Sequence, residues 1–158
     1  MSLQKFCQRS VITITPEQTI LAACQALREK NVGCLVVEEN GALCGILTDR
    51  DISLQVAGQR KNPRQTTVRE IMTANPVHVA VNKTLHDLTS LMHQYHVRRV
   101  PIVESGNKVV GLVTLDDLII LLAEEWSDIG EGILGALHQA EAELTEVTPP
   151  FGWLMTYL

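Results

Sequence analysis

Two short segments that begin with a glycine place an aspartate three residues after a threonine, Thr48 with Asp51 and Thr114 with Asp117. A threonine at the start of a helix offers a hydroxyl beside free backbone N–H groups, which suits a phosphate. An aspartate one turn later lies on the same side of the helix, where its carboxylate can accept both hydroxyls of a ribose. In the alternative, purely structural interpretation, the threonines cap helices and the aspartates interact with the positive helix ends.

The two segments occupy equivalent places in an internal repeat, which is the stronger reason to consider a ligand. At an offset of 65 residues, apolar positions with helical i, i+3, i+7 spacing coincide. These positions are Ile20, Ala23 and Leu27 in the first copy and Leu85, Leu88 and Met92 in the second. One inserted residue then raises the offset to 66, so that residues 45–48 match residues 111–114.

Each copy of the repeat predicts a strand, a helix, two strands and a second helix. The predicted elements are 10–14, 19–30, 34–38, 43–48 and 49–57, followed by 77–80, 84–95, 99–103, 108–114 and 115–125. Asn40-Gly41 and Ser105-Gly106 predict tight turns between the paired strands. Thr84 and Asp87 predict a helix N-cap. Residues 68–73 predict a short helix before Pro76.

These elements predict an α/β (α+β) fold, in which two β-α-β-β-α units pack face to face with pseudo-twofold symmetry. A unit of about 50 residues buries too little surface to be reliably stable alone. We therefore expect a cleft between the units, with the loops of each facing the other. The predicted boundaries are 8–57 for the first unit, 58–75 for a polar linker, 76–125 for the second unit and 126–158 for an extension.

The repeat resembles the cystathionine-β-synthase (CBS) domain, and the pair resembles a Bateman module of the stand-alone bacterial type, over about residues 8–125. Residues 45–51 and 111–117 both look like the family's Gly-apolar-x-Thr/Ser-x-x-Asp signature. Residues 97–103 look like its basic-apolar-Pro strand, and residues 71–76 look like its lead-in to a second unit. The resemblance implies a regulatory module, not an enzyme, that binds AMP, ADP or ATP between the repeats and needs no further cofactor.

The resemblance also implies roles for individual residues. The two aspartates would hold ribose, the two threonines ribose or phosphate, and the arginines phosphate, while apolar residues would enclose adenine. The complete set is Thr48, Arg50, Asp51, Thr114, Asp117, Arg98, Arg99, Val77, His78, Val79, Val36 and Pro101. Residues 11–12 are the alternative adenine wall. Because Gly33 and Cys34 stand where the second unit has Arg98 and Arg99, we expect two unequal pockets.

Other functions remain open from the residues alone. The fold could bind S-adenosylmethionine or another adenosyl ligand, or it could be a structural interaction module with empty pockets. An enzyme is disfavoured because no nucleophile and base can be paired, and residues 130–135 match G-x-G-x-x-G without the strand that a dinucleotide site requires. His93 and His96 lack further converging ligands, so no metal site is expected.

Charge and composition exclude further classes. A net charge of −5 argues against nucleic-acid binding, and no apolar run approaches the ~20 residues of a membrane span. No secretory signal is visible. The cysteines Cys7, Cys24, Cys34 and Cys44 form no C-x-x-C pair and indicate small core residues in a reducing cytoplasm.

The C-terminal region departs from the family pattern. Apolar residues at helical spacing predict an additional helix over residues 129–146, after one that ends near Trp126. Residues 118–122 are apolar around more than one helix face, which predicts a homodimer. Phe151, Trp153 and Tyr157 indicate that the tail docks on this chain, on a second copy or on a partner protein.

Overall fold

This computed structural model describes residue 3 and residues 11–146 of the chain. The chain divides into two compact units, residues 1–115 and residues 116–158. The first unit holds two β-sheets with their helices, and the second consists of the C-terminal helix as far as it is described. The predicted mixed α/β class, with two similar repeats and a C-terminal helix, is confirmed. Cys7 and the aromatic tail residues lie outside the described residues.

The first repeat forms a four-stranded sheet in the order β1-β2-β3-β4. Its elements are β1 (Thr13–Ile14), α1 (Ile20–Lys30), β2 (Cys34–Glu39), β3 (Ala42–Thr48), α2 (Asp49–Asp51), which continues as a π-helical segment (Ile52–Ala57), a 3-10 turn (Val68–Glu70) and β4 (Thr73–Ala74). Asn40 and Gly41 both adopt positive φ, as the predicted hairpin turn between β2 and β3 requires.

The second repeat forms a three-stranded sheet in the order β5-β6-β7. Its elements are β5 (Val79–Ala80), α3 (Leu85–Tyr95), β6 (Arg99–Glu104), a 3-10 turn (Ser105–Asn107), β7 (Lys108–Thr114) and α4 (Leu115–Glu146). The predicted N-cap of α3 is confirmed, because the Thr84 hydroxyl accepts from the Asp87 N–H and the Asp87 carboxylate accepts from Thr84. These hydrogen bonds, above all the one from the Thr84 backbone N–H, lower the pKa of Asp87.

Backbone pairing shows that the two repeats are equivalent in three dimensions. The signature threonine of each repeat pairs with the first residue of the preceding strand, Thr48 with Cys34 and Thr114 with Arg99. The carbonyl one residue earlier accepts from the first helical N–H in both copies, at Gly33 and at Arg98. Both hairpins also carry a register shift near the middle of their strands.

The two sheets share an apolar cluster. Val36 and Leu43 of the first repeat pack with Val103 of the second, and Val109 and Leu112 add partly buried surface. The side-chain amide of Asn107 donates to the Leu43 carbonyl across the same contact, at 2.9 Å. Through this cluster the sheets of the two repeats contact each other, as the predicted face-to-face packing requires.

The connector between the repeats is attached to the first sheet, although its basic residues Arg60 and Arg64 are exposed. Thr66 is buried, and its carbonyl accepts from Ile20 N at the start of α1. Val68 and Ile71 complete the core of the first repeat. The prediction of a helix over residues 68–73 holds only for the 3-10 turn at residues 68–70. The rest is wrong, because residues 73–74 form a strand that pairs with β3.

The C-terminal helix is continuous from Leu115 to Glu146, so the predicted break near Trp126 is wrong. No proline interrupts this stretch, and a helical glycine costs only about 1 kcal/mol relative to alanine. The glycines of residues 130–135 are consequently accommodated in the helix, which excludes a dinucleotide-binding turn there. Within the described residues, no helix is both long enough and apolar enough to span a bilayer.

Candidate functional site

A cavity of about 300 Å³ opens in the first unit, where the end of β3 meets the start of the second repeat. It is lined by Ile46 and Thr48, by Thr73, Asn75, Pro76 and Val77, and by His96, Val97, Arg98 and Arg99. The lining thus combines one signature threonine with the two consecutive arginines of the other repeat. Of the twelve residues assigned from the sequence, Thr48, Val77, Arg98 and Arg99 lie here.

The two-residue strand β4 brings the lining residues between 73 and 77 next to β3, the strand that carries the first signature. Thr73 pairs with Ile46, and Ala74 pairs with Gly45, the first residue of the signature. A side chain at Gly45 would collide with Met72 Sδ and would lie 3.3 Å from the Val37 Cβ atom. The signature glycine therefore leaves room for the Met72 side chain of the lead-in segment, which in turn carries Asn75 and Val77 to the cavity.

Thr48 and Asp51 form a reciprocal cap at the start of α2. The Thr48 backbone N–H donates to Asp51 Oδ2 at 2.9 Å, and the Thr48 hydroxyl donates to the same oxygen at 2.6 Å. The Asp51 N–H in turn approaches Thr48 Oγ1 at 3.2 Å. The structural interpretation of this signature is therefore correct as far as it goes. The cap uses Asp51 Oδ2 and does not involve Asp51 Oδ1.

Positive charge in the cavity comes from α3 and β6. His96 ends α3 in the left-handed conformation, and Arg98 and Arg99 follow directly. Arg98 is exposed, whereas Arg99 is half-buried. Positively charged groups placed side by side at the edge of a cavity attract anions such as phosphate.

Arg99 reaches the first repeat at Gly33. Its Nη2 atom would lie 3.4 Å from a Cβ atom at Gly33, and Asp49 Oδ2 would lie 3.3 Å from the same point. Because Gly33 has no side chain, the Arg99 guanidinium and the Asp49 carboxylate extend into the space beside it. Next to it, burial raises the pKa of the Cys34 thiol to about 11, while the Arg99 guanidinium acts in the opposite direction.

Several assigned residues lie elsewhere. His78 and Val79 line a different cavity, of about 330 Å³, between β5 and α3, and the His78 ring donates from Nδ1 to the Pro76 carbonyl at 3.0 Å. Val36 and Pro101 are buried, and Val36 belongs to the apolar cluster that the two sheets share. Arg50 is exposed, Asp51 is half-buried beside the lining residue Thr48, and neither lines the first cavity itself.

The second signature stands at the start of the C-terminal helix. Thr114 is the last residue of β7, and Asp117 lies in the first turn of α4. Both side chains are half-buried. Their assignment to ribose and phosphate remains a prediction.

Sequence reasoning missed most of the lining contributed by the lead-in and by the end of α3. These residues are Ile46, Thr73, Asn75, Pro76, His96 and Val97. The lead-in motif was recognisable, but its position beside β3 depends on a two-residue strand pairing that no local pattern reveals. His96 directly precedes the recognised segment 97–103, and this adjacency was the available signal for it.

These observations define a class of protein: two equivalent β-α-β-β-α units, joined through their sheets, with a polar cavity at their junction. The model of the CBS domain family matches residues 3–58 and 68–124. The chain belongs to the CBS domain family. CBS domain-containing protein YhcV of Bacillus subtilis is 43% identical over 110 residues, which cover 70% of this chain and 77% of YhcV.

Solved structures of CBS pairs resemble the fold closely. The CBS pair of protein MJ0100, in complex with 5-methylthioadenosine and S-adenosyl-L-methionine, is 28% identical, with a TM-score of 0.70 over 79% of this chain and 98% of that one. Hypoxic Response Protein I with two coordinated zinc ions is also 28% identical, with a TM-score of 0.67 over 75% and 97%.

CBS pairs are regulatory modules that bind small ligands, and proteins built from CBS domains alone are generally regulatory and not catalytic. In the part of the chain that the structure describes, no three His, Cys, Asp or Glu side chains gather in a way that could hold a metal ion.

Proposed function

We propose that this protein is a sensor that binds an adenine nucleotide, AMP, ADP or ATP, in the cavity lined by Thr48, Arg98 and Arg99. The observation that carries the proposal is the meeting of a signature threonine from residues 8–57 with two arginines from residues 76–125 in one cavity. A ligand that touches both repeats favours one relative arrangement of them, which is how a binding event becomes a signal.

The phosphate is assigned to the arginine side of the cavity. Guanidinium groups bind phosphate oxygens through paired, charge-assisted hydrogen bonds. His96 lines the same side and adds ring nitrogens that can hydrogen-bond to phosphate. The ribose is assigned to Asp51 Oδ1, the oxygen that the helix cap does not use.

The adenine ring is assigned to the apolar lining beside Val77. Ile46, Pro76 and Val97 complete this surface, which offers the flat, poorly hydrated environment that a purine prefers. We retain Val77 from the adenine residues assigned by sequence and replace the others with these three.

S-adenosylmethionine is the second candidate, because the similar MJ0100 pair was crystallised with it and with 5-methylthioadenosine. All these ligands share an adenosyl group, so the charge around the cavity must discriminate between them. Among the described lining residues there are two arginines and no carboxylate. The two arginine charges attract a phosphate and repel a sulfonium cation, whereas the Asp51 carboxylate is assigned to the ribose that all these ligands share.

A thermal-shift titration of the full chain, followed by calorimetry, tests the proposal. At a free nucleotide concentration of about 100 times the dissociation constant, linkage stabilises the fold by roughly 2.7 kcal/mol. For a protein of this size, that corresponds to a rise in Tm of about 5–11 °C. A rise with AMP, ADP or ATP but not with S-adenosylmethionine supports the proposal. The reverse pattern selects the adenosyl-sulfonium alternative, and no shift with any of them favours a structural module.

Signal output is expected to pass through a homodimer or a partner protein. Residues 118–122 carry apolar side chains on several faces of α4, and Ile119, Ile120 and Leu122 are exposed while Leu118 and Leu121 are buried. Such a helix is typical of one that another chain covers.

A further inference from the structure

The C-terminal helix carries an apolar seam that continues past residue 124, where the match to the CBS family model ends. Successive spacings of three and four residues link its members, as in positions a and d of a coiled-coil heptad. They are Ile119, Leu122, Trp126, Ile129 and Ile133. At about 100° per residue, the five side chains fall within an arc of about 80° on the helix surface.

The seam is exposed in the part of the chain that the structure describes. Each of the five side chains is more than half exposed, and Trp126 is 71% exposed. Isolated apolar residues on a surface need no explanation, but a contiguous stripe of five large ones over four helical turns marks an interaction site.

Charge is distributed around the seam in a way that suits pairing with an identical helix. Glu124 and Glu131 lie on the opposite side of the helix, and small residues, Ala123 and Gly130, flank one edge of the seam. Glu125 is the only described carboxylate on the other edge. In a parallel pair it would face Gly130 of the second copy, because a g position opposes the following e position.

A basic partner helix would call for acidic residues along both edges of the seam, and the described side chains of this helix do not provide them. Small flanking residues instead let two identical helices approach closely. We therefore propose that α4 forms a coiled coil with α4 of a second copy, through the seam from Ile119 to Ile133. This contact extends well beyond the CBS repeats and does not depend on nucleotide.

Two pairs of substitutions with matched chemistry and exposure test the proposal in the full chain. Ile129→Glu with Ile133→Glu places carboxylates in the seam, at side chains that are 53% and 58% exposed. Leu54→Glu with Leu134→Glu is the control, since these side chains are 57% and 58% exposed, and Leu54 lies outside α4 while Leu134 lies about 100° from the centre of the seam. Circular dichroism checks that both variants remain folded.

Sedimentation equilibrium from 1 to 100 µM, as rough limits, should show a dimer for the wild type and for the control. The seam variant should dissociate, with its dimer constant raised at least roughly 100-fold, because four unpaired carboxylates would be buried at the contact. A monomeric wild type, or equal weakening by both pairs, would overturn the proposal. A chain that is monomeric until residues 147–158 are removed would show that the tail covers the seam instead. Nucleotide titration of the same variants reports separately on the proposed function.

Discussion

Replacement of Asp51 by alanine separates ligand binding from helix capping, because the chain contains a second cap of nearly the same geometry. In the α2 cap, Asp51 Oδ2 lies 2.9 Å from Thr48 N and 2.6 Å from Thr48 Oγ1. In the α3 cap, Asp87 Oδ2 lies 2.8 Å from each of the equivalent atoms of Thr84. Asp87→Ala is therefore a control that removes the same local hydrogen bonds without touching the proposed nucleotide site.

Both variants should lose a similar amount of stability. The loss of an N-terminal cap lowers Tm by about 2–4 °C in a protein of this size. Only Asp51→Ala should also lose the charge-assisted hydrogen bonds to ribose, which are worth roughly 1.5–3 kcal/mol. That loss corresponds to an AMP dissociation constant raised by about 10- to 150-fold.

Differential scanning fluorimetry measures the stability change, and titration calorimetry measures the affinity for AMP and for adenosine. Asp51→Ala should weaken both ligands by similar factors, since both contain the ribose. Asp87→Ala should leave both affinities within about twofold of the wild type. If the two variants lose stability equally and neither loses affinity, Asp51 serves only as a cap and the ribose assignment is refuted.

Three further expectations follow. Changing Arg98 and Arg99 together to alanine should weaken AMP but not adenosine, with a smaller loss at high salt, as calorimetry in two buffers would show. At pH 8, iodoacetamide should modify Cys34 about 100-fold more slowly in the native than in the denatured chain, because its pKa is raised to about 11; equal rates would contradict this. Hydrogen bonds, chiefly from backbone N–H groups, lower the folded-state pKa of Asp87 and of Glu70. The stability that these two carboxylates contribute should therefore be present above about pH 4. It should be lost as the pH falls through their lowered pKa values, which a falling Tm would show.

The sequence predicted the repeats well because their information is local. Apolar spacing located α1 and α3, and Asn40-Gly41 located the first hairpin, where both residues adopt positive φ. The continuity of α4 past Trp126 was missed, because a break was predicted there, whereas the helix accommodates the three glycines of residues 130–135. A helical glycine costs only about 1 kcal/mol relative to alanine, and this cost is outweighed when the neighbouring residues favour the helix.

The cavity could be predicted only in part. The two arginines and Thr48 were identifiable from their motifs, but their convergence depends on the contact between β3 and β4 and on the packing of one sheet against the other. Such contacts join residues that are distant in sequence and leave no periodic signal. Of the residues assigned to adenine from the sequence, Val77 lines this cavity and His78 lines a separate one, and the adenine assignment stays a prediction.

A crystal structure of the full chain grown with AMP tests the central claim most directly. The proposal predicts a phosphate within hydrogen-bonding distance of the Arg98 or Arg99 guanidinium and ribose hydroxyls at Asp51 Oδ1, with the adenine ring beside Val77. The cap between Thr48 and Asp51 should remain intact in that complex. An empty cavity at saturating AMP, or AMP bound away from all of these residues, would contradict the account.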